Sequence, residues 1–240
     1  IIVDNGSKDW SVTYIKEIQK NNEHVILVEN SKNLGFAEGN NIGFSKIKGE
    51  LILLLNNDTI VEKDFLNILV KKIISSKKIG AVQPKILMYP KEEIIDSAGS
   101  YFNNSGFLYH FGHNKPDQNK YNKEDEIFSM KGACMLFKKE TIEKAGGLFD
   151  PNYFAYFEET DLCQRVWMSG YKIIYVPSSR IYHIGGETAR HLNSEFVQFS
   201  SYKNRIYTYL KNFGTPTIIR VLPLHILLCE IASLIYLLTF

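Results

Sequence analysis

Five apolar residues in succession, Leu51-Ile52-Leu53-Leu54-Leu55, bounded by Gly49 and by the polar triplet Asn56-Asn57-Asp58, constrain this chain more than any other segment. A run that short, with no alternation, reads as a strand buried on both faces, as in a parallel α/β sheet. Such sheets bind ligands at the carboxyl ends of their strands. Asp58 stands at that end with Asn56 two residues before it, and their oxygens suit a hard divalent cation able to clamp a diphosphate. The triplet also suits a plain turn, because Asn and Asp side chains hydrogen-bond their own backbone.

The flanking segments repeat the theme. Ile1-Ile2-Val3 runs into Asp4-Asn5-Gly6-Ser7-Lys8-Asp9, a second strand ending in acidic and turn residues, so two strands deliver carboxylates to one sheet edge. Between them Val12, Ile15 and Ile18 recur at helical spacing behind Ser11, a candidate N-cap, and Val25-Ile26-Leu27-Val28 predicts the next strand. This is β-α-β order. The segment 33–41, rich in glycine and amides, then enters a helix ending near Lys46. Its small residues let backbone N–H groups approach a phosphate or sugar, and a helix N-terminus attracts anions.

A second acidic constellation lies at 157–165, where Glu158, Glu159 and Asp161 open a helix that stops at Gly170. Capping and an Asp161–Arg165 pair account for part of it. Adjacent acids repel, however, and a carboxylate crowded by like charge has a raised pKa that suits a general base near neutral pH. Residues 171–177 and 180–183 read as two short strands, the second ending in His183, a lone histidine whose commonest role is a structural hydrogen bond. Gly132 precedes a core strand over 133–137 and a helix over 140–145. The stretch 85–128 has irregular periodicity and reads as a hairpin-bearing excursion over the acceptor side.

The succession VDNGSKD, NLGFAEGNN and LLLNNDT, followed by FEETDLCQR and YHIGG, resembles family 2 glycosyltransferases of the GT-A fold, rhamnosyltransferase-like members among them, over residues 1–190. The fold implied is a Rossmann-like mixed sheet flanked by helices, with its first strand missing ahead of residue 1. By that resemblance Asp4 and Asp9 hold the nucleoside, and Asn33, Gly35, Phe36, Gly39 and Asn40 shape the donor pocket, with Asn56 and Asn57 on the donor side. Asp58 is the metal-binding acid of an Asp-x-Asp motif whose first aspartate is here Asn56. His183 is a second ligand to Mn²⁺ or Mg²⁺. Glu159 is the base that deprotonates the acceptor hydroxyl, beside Gly132, Glu158 and Asp161 on the acceptor side. The reaction implied is inverting transfer from a UDP- or dTDP-sugar to a saccharide or lipid-linked saccharide of a bacterial surface polysaccharide. No Gln-x-x-Arg-Trp motif occurs, which points away from a processive synthase.

With 45% hydrophobic and 22% charged residues, the 240-residue chain suits one globular catalytic domain, over 1–214, with a membrane-associated or packing helix over 215–240. A net charge of +2 leaves no nucleic-acid footprint. Cys134, Cys163 and Cys229 lack paired or metal-ligand spacing, as in a reducing compartment. The stretch 196–213 is aromatic and basic, which favours the interface with an anionic leaflet, and 221–240 is largely apolar but interrupted by Pro223, His225 and Glu230. A span, an interfacial helix, and packing on the domain or on a second copy as a homodimer all remain open; the first two imply the cytoplasmic face of the plasma membrane. Two rivals stand beside the enzyme reading. A sugar-1-phosphate nucleotidyltransferase shares the nucleotide-binding sheet but not the two downstream motifs, and a non-catalytic membrane-tethered module could keep the fold without the chemistry.

Overall fold

The computed structural model describes residues 1–185 and 194–239. In chain order its first half comprises β1 (Ile2–Asp4), α1 (Ser11–Lys20), β2 (Leu27–Glu29), α2 (Gly35–Phe44), β3 (Leu51–Leu55), β4 (Thr59–Val61), α3 (Phe65–Ile74) and β5 (Ile79–Met88). Short strands β6 (Ile94–Ser97), β7 (Ser100–Phe102), β8 (Leu108–His110), β9 (Lys115–Pro116) and β10 (Asp125–Glu126) follow. The chain continues through β11 (Cys134–Lys138), α4 (Lys139–Lys144), α5 (Glu158–Met168), β12 (Lys172–His183), α6 (Ser194–Asn212) and α7 (Thr215–Thr239).

The predicted β-α-β order is present, with β1 and β2 parallel. Ser11 is not the N-cap of α1: Trp10 holds that position, Ser11 is the first helical residue, and its N–H donates to Asp9 Oδ1 at 3.0 Å. Asp9 therefore does the capping, two residues earlier than expected. Helix α2 starts inside the glycine-rich segment and buries only Gly35, Ala37, Gly39 and Gly43, so its backbone lies close to β1.

Strand β3 is apolar on both faces, with Ile52 and Leu54 in one core cluster and Leu51 and Leu53 packed against another. Its neighbour, however, is not parallel. Strand β11 runs antiparallel to it, Cys134 opposite Leu55, and antiparallel to β5 as well, whereas β12 lies parallel to β5. An apolar run registers burial but not the direction of the strand beside it. Helix α3 buries Phe65, Leu69 and Ile73 on one face of this mixed sheet, and the other face meets Leu162 and Val166 of α5 and Ile142 of α4.

The two strands read at 171–177 and 180–183 are one, β12. Its ladder to β5 shifts register between Val176 and Arg180, around Pro177, which has no N–H to give. Beyond the shift β12 also pairs with β4 and sets His183 opposite Thr59. The excursion contains the expected hairpin, β7 with β8, although residues 85–88 are still core strand, with the fully buried Lys85 paired to Asp117.

Helix α6 departs most from expectation. Part of its aromatic and basic set turns inward: Tyr209 is fully buried, Tyr207 Oη donates to Asp150 Oδ2 at 2.9 Å, and Lys211 Nζ reaches Asp150 at 2.7 Å and Asp161 at 3.0 Å, while Lys203 stays exposed. The buried Asn204 donates to the carbonyls of Ala155 and Tyr156, both at 2.8 Å. Helix α6 thus clamps the loop that leads into the acidic cluster. Helix α7 docks only through residues such as Val221 and His225, whose Nε2 lies 2.9 Å from the Ser105 carbonyl in the hairpin, and leaves Ile219 70% and Leu234 59% exposed.

Candidate active site

Backbone pairing brings the two expected cation ligands together. The N–H of Ile184 donates to the Asp58 carbonyl at 2.9 Å, and His183 Nε2 lies 3.3 Å from Asp58 Oδ1. That Asp58 oxygen is buried and makes no hydrogen bond. The other imidazole nitrogen, Nδ1, sits 2.8 Å from Oδ2 of Asp96, at the end of β6, and Asp96 is in turn paired with Lys131. Burial alone would raise the Asp96 carboxyl, but hydrogen bonding from His183 and the charge of Lys131 hold it at about 2. Burial likewise opposes a charge on His183, and the two carboxylates overcome it, raising the imidazole to about 9. The facing His183 imidazole lowers Asp58 as well. Gly186, which closes the tyrosine-histidine motif, lies outside the described residues.

An acidic side chain that fixes one histidine nitrogen and leaves the other directed at a second carboxylate is the arrangement that orients a histidine for metal ligation. A buried carboxylate oxygen 3.3 Å from that nitrogen, in no geometric hydrogen bond, fits a divalent cation. Among the described residues no third His, Cys, Asp or Glu converges there, so Asp58 and His183 are the ligands those residues offer. Two protein ligands, with the remainder from phosphate and water, is how Mg²⁺-type sites are usually built.

The acidic cluster occupies the first turn of α5, as read from sequence, and Gly170 ends that helix with φ of 83°. Tyr156 and Phe157 precede it at φ of 73° and 71°, a left-handed conformation unusual for aromatic residues and held by the Asn204 bonds. The three acids have separate fates. Asp161 is fully buried, with Oδ2 taken by Arg165 Nε at 2.8 Å and Oδ1 by Asn212 at 2.8 Å. It is an internal anchor, and the acceptor-side placement does not hold for it, because both oxygens are spent. Glu158 is buried with Oε2 unpartnered, and burial together with the neighbouring Glu159 raises its carboxyl well above the usual range. Glu159 is partly buried, and desolvation raises it to about 7, against a smaller opposing pull from Lys131.

A carboxyl whose folded pKa is raised binds its proton more tightly in the native state, so it lowers stability as pH climbs from the unfolded value toward the folded one. Glu158→Gln is therefore expected to raise the unfolding midpoint at pH 8 by roughly 2–6 °C, a gain that vanishes near pH 4. Thermal melts of both proteins at those two pH values check it.

On the donor side the structure joins the β1 turn to the α2 entrance through Asn5, which was not singled out from sequence. Its Nδ2 donates to Gly35 O at 2.9 Å, and its Oδ1 accepts from Asn30 Nδ2 at 3.1 Å. Asp4 Oδ2 shapes its own turn, accepting from the N–H groups of Gly6 and Ser7 at 3.0 and 3.1 Å. Asn33 Oδ1 accepts the Gly35 N–H at 2.9 Å, and Asn40 Nδ2 donates to the Phe36 carbonyl at 2.8 Å. Gly35, at φ of 84°, has no room for a side chain: a Cβ would stand 2.4 Å from the Phe154 carbonyl. Gly39 is nearly as tight, a Cβ meeting Asn5 Nδ2 at 3.2 Å. Gly132 differs, since a Cβ there meets only the Phe36 ring at 3.7 Å. Packing does not require that glycine. Asn56 is partly buried and donates its N–H to the Ala133 carbonyl at 3.0 Å, Asn57 is exposed, and Asp9 is spent on capping.

Lys131, also not singled out from sequence, lies between the two halves. With Asp96, His183, Met88 and Tyr89 it lines a cavity of about 490 Å³.

A mixed sheet with an amide-rich first β-α crossover, a carboxylate–histidine pair at strand ends and crowded acids at a helix start define a glycosyltransferase of the GT-A type. The chain belongs to glycosyl transferase family 2, whose family model matches residues 1–146. It is 24% identical, over 96% of its length and 53% of the relative's, to the poly-β-1,6-N-acetyl-D-glucosamine synthase of Staphylococcus aureus. It is 25% identical to the uncharacterized protein y4gI of Sinorhizobium fredii, covering 76% of this chain and 21% of that one. The chain thus spans about half or less of the curated relatives it matches. Similar solved structures include GalNAc-T7 with UDP, GalNAc and Mn²⁺, at TM-score 0.62 and 20% identity over 75% of this chain and 36% of that one. The mannosyltransferase PcManGT of Pyrobaculum calidifontis, with GDP-Man and Mn²⁺, aligns at TM-score 0.58 and 18% identity over 92% and 57%.

Proposed function

We propose that this chain transfers a sugar from a nucleotide-diphosphate donor to a saccharide hydroxyl, with inversion and one sugar at a time, in the synthesis of a cell-surface polysaccharide. The observation that carries the reading is the Asp58–His183 pair at the strand ends, tied through Asp96 to Lys131, whose charge also acts on Glu159.

The α2 entrance and the Asp4–Asn5 turn, whose backbone N–H groups are held by Asp4, Asn5, Asn33 and the Phe154 carbonyl, form the wall that receives the nucleoside diphosphate. A cation held by Asp58 and His183, Mn²⁺ or Mg²⁺, would stabilise charge on the departing diphosphate. Glu159 accepts the proton of the acceptor hydroxyl as that oxygen attacks the anomeric carbon from the face opposite the leaving group. Burial and the charge of its neighbour push the Glu158 carboxyl toward the neutral form. The donors bound in solved relatives, UDP and UDP-GlcNAc in S. aureus TarS and GDP-Man in PcManGT, support the donor class. A UDP- or dTDP-sugar is the proposed donor, and rhamnosyl or hexosyl transfer the proposed chemistry. The likeness to a poly-N-acetylglucosamine synthase favours a second reading, repeated addition. The mass of the product separates the two, one added sugar against a ladder.

Helix α7 supports a membrane-bound acceptor. The stretch Thr215–Ile235 is long and apolar enough to cross a bilayer, and its exposed face carries Leu227, Ile231 and Leu234. We place it in or on the cytoplasmic leaflet, where a lipid-linked saccharide would reach the site. Replacing that face (Leu227→Gln, Ile231→Gln, Leu234→Gln) is expected to move most of the protein from the membrane to the soluble fraction, because the substituted residues do not pack on the domain. Fractionation of cells expressing each protein tests this, and an unchanged partition would assign the face to a protein contact.

A further inference from the structure

We propose that Lys131 is a positioning residue that couples the cation end of the site to its base, an inference that rests on the roles given above to Asp58, His183 and Glu159. The segment 129–131 touches both ends. Toward the cation, Lys131 Nζ pairs with Asp96 Oδ1, and the other oxygen of Asp96 holds His183 Nδ1 at 2.8 Å. Toward the base, Ser129 Oγ donates to Thr160 Oγ1 at 3.2 Å and the Met130 N–H donates to Cys163 Sγ at 3.4 Å, both on the helix that carries Glu159. The backbone between is fixed as well: the Lys131 N–H donates at 2.6 Å to Oε1 of the fully buried Gln83.

The charge matters at both ends. Asp96 is 4% exposed and lies between His183 and Lys131, so Lys131 is the cation that holds in place the buried carboxylate orienting the imidazole. His113, the remaining basic side chain near Asp96, is 3.4 Å away and half exposed. Burial disfavours the ionised Glu159; its own backbone N–H, the charge of Lys131 from the segment before β11 and the Thr160 N–H favour it, and of these Lys131 is the side chain and the cation. Glu158 and the thiol of Cys163 are its neighbours on α5. Since its side chain lines the cavity, it can do so without being sealed from substrate.

The test compares the full chain with Lys131→Met and Lys131→Arg, with Glu159→Gln as control. Turnover is followed from about pH 5.5 to 9, and Mn²⁺-dependent binding of UDP and of dTDP is measured by calorimetry. Lys131→Met is expected to move the acid limb of the turnover profile upward by about half to one pH unit and to weaken Mn²⁺-dependent nucleotide binding by roughly 10-fold. Lys131→Arg should restore the limb. An unmoved limb in Lys131→Met, while Glu159→Gln is inactive, overturns the inference and leaves the function standing; so does a uniform loss of rate that arginine does not rescue. If Glu159→Gln keeps its turnover, the base assignment itself has failed and the coupling falls with it. Should Lys131→Met not fold, Lys131→Gln carries the same measurements.

Discussion

Glu159→Gln is expected to lower turnover by roughly 10²-fold or more, the usual scale for loss of a general base, while donor affinity stays within about twofold. The amide keeps the size and place of the side chain in the first turn of α5 but cannot accept a proton. With the native carboxyl at about 7, turnover of the unaltered chain should rise with pH through that value, because only the ionised form is a base. Glu158→Gln is the matched control. Burial and the charge of Glu159 both push the Glu158 carboxyl up, so its replacement by an amide is expected to leave the limb in place. Steady-state turnover with acceptor present and donor binding without it separate the two roles. A dead Glu158→Gln beside an active Glu159→Gln would exchange them.

Asp58→Ala is expected to abolish divalent-dependent donor binding without unfolding the chain. Its backbone carbonyl, not its carboxylate, anchors Ile184, and the interaction lost with Oδ1 is the long 3.3 Å pairing with His183. His183 keeps its bond to Asp96 and its place opposite Thr59. One imidazole nitrogen alone is a poor site for Mn²⁺ or Mg²⁺, which need oxygen ligands. Calorimetric titration of nucleotide with and without Mn²⁺ decides the matter: metal-dependent affinity should be present in the native chain and gone in the variant. Equal metal dependence in both would move the cation away from Asp58.

What could be read in advance was local. The acids and Gly170 of α5 lie within one helix, the apolar run of β3 within one strand, and the glycine-rich entrance of α2 within ten residues, so spacing and residue type identify each. Asp96 and Lys131 escaped because their meaning is non-local. Asp96 meets Lys131 across 35 residues and His183 across 87, and in sequence it is one acid in an irregular stretch. The direction of β11 escaped for a related reason, since side-chain burial is the same beside a parallel or an antiparallel neighbour. Helix α6 misled because tyrosine and lysine serve a lipid headgroup and a buried aspartate equally well. Its pattern was visible, but Asp150 and Asp161 as the partners of Tyr207 and Lys211 were not. One signal was available: Asn204, an amide among aromatics, fits a face that meets backbone carbonyls better than one that meets lipid.

The central claim is tested most directly by nucleoside diphosphate release. The native chain, Asp58→Ala and Glu159→Gln are incubated with Mn²⁺, a panel of UDP-, dTDP- and GDP-sugars and membrane-extracted saccharide acceptors, and the diphosphate is quantified. A family 2 transferase working as described should release diphosphate from one class of donor, faster with acceptor than without, and both variants should lose that acceptor-stimulated release. Release equal in all three proteins, none from any donor, or pyrophosphate formed instead from a nucleoside triphosphate and a sugar 1-phosphate would contradict it.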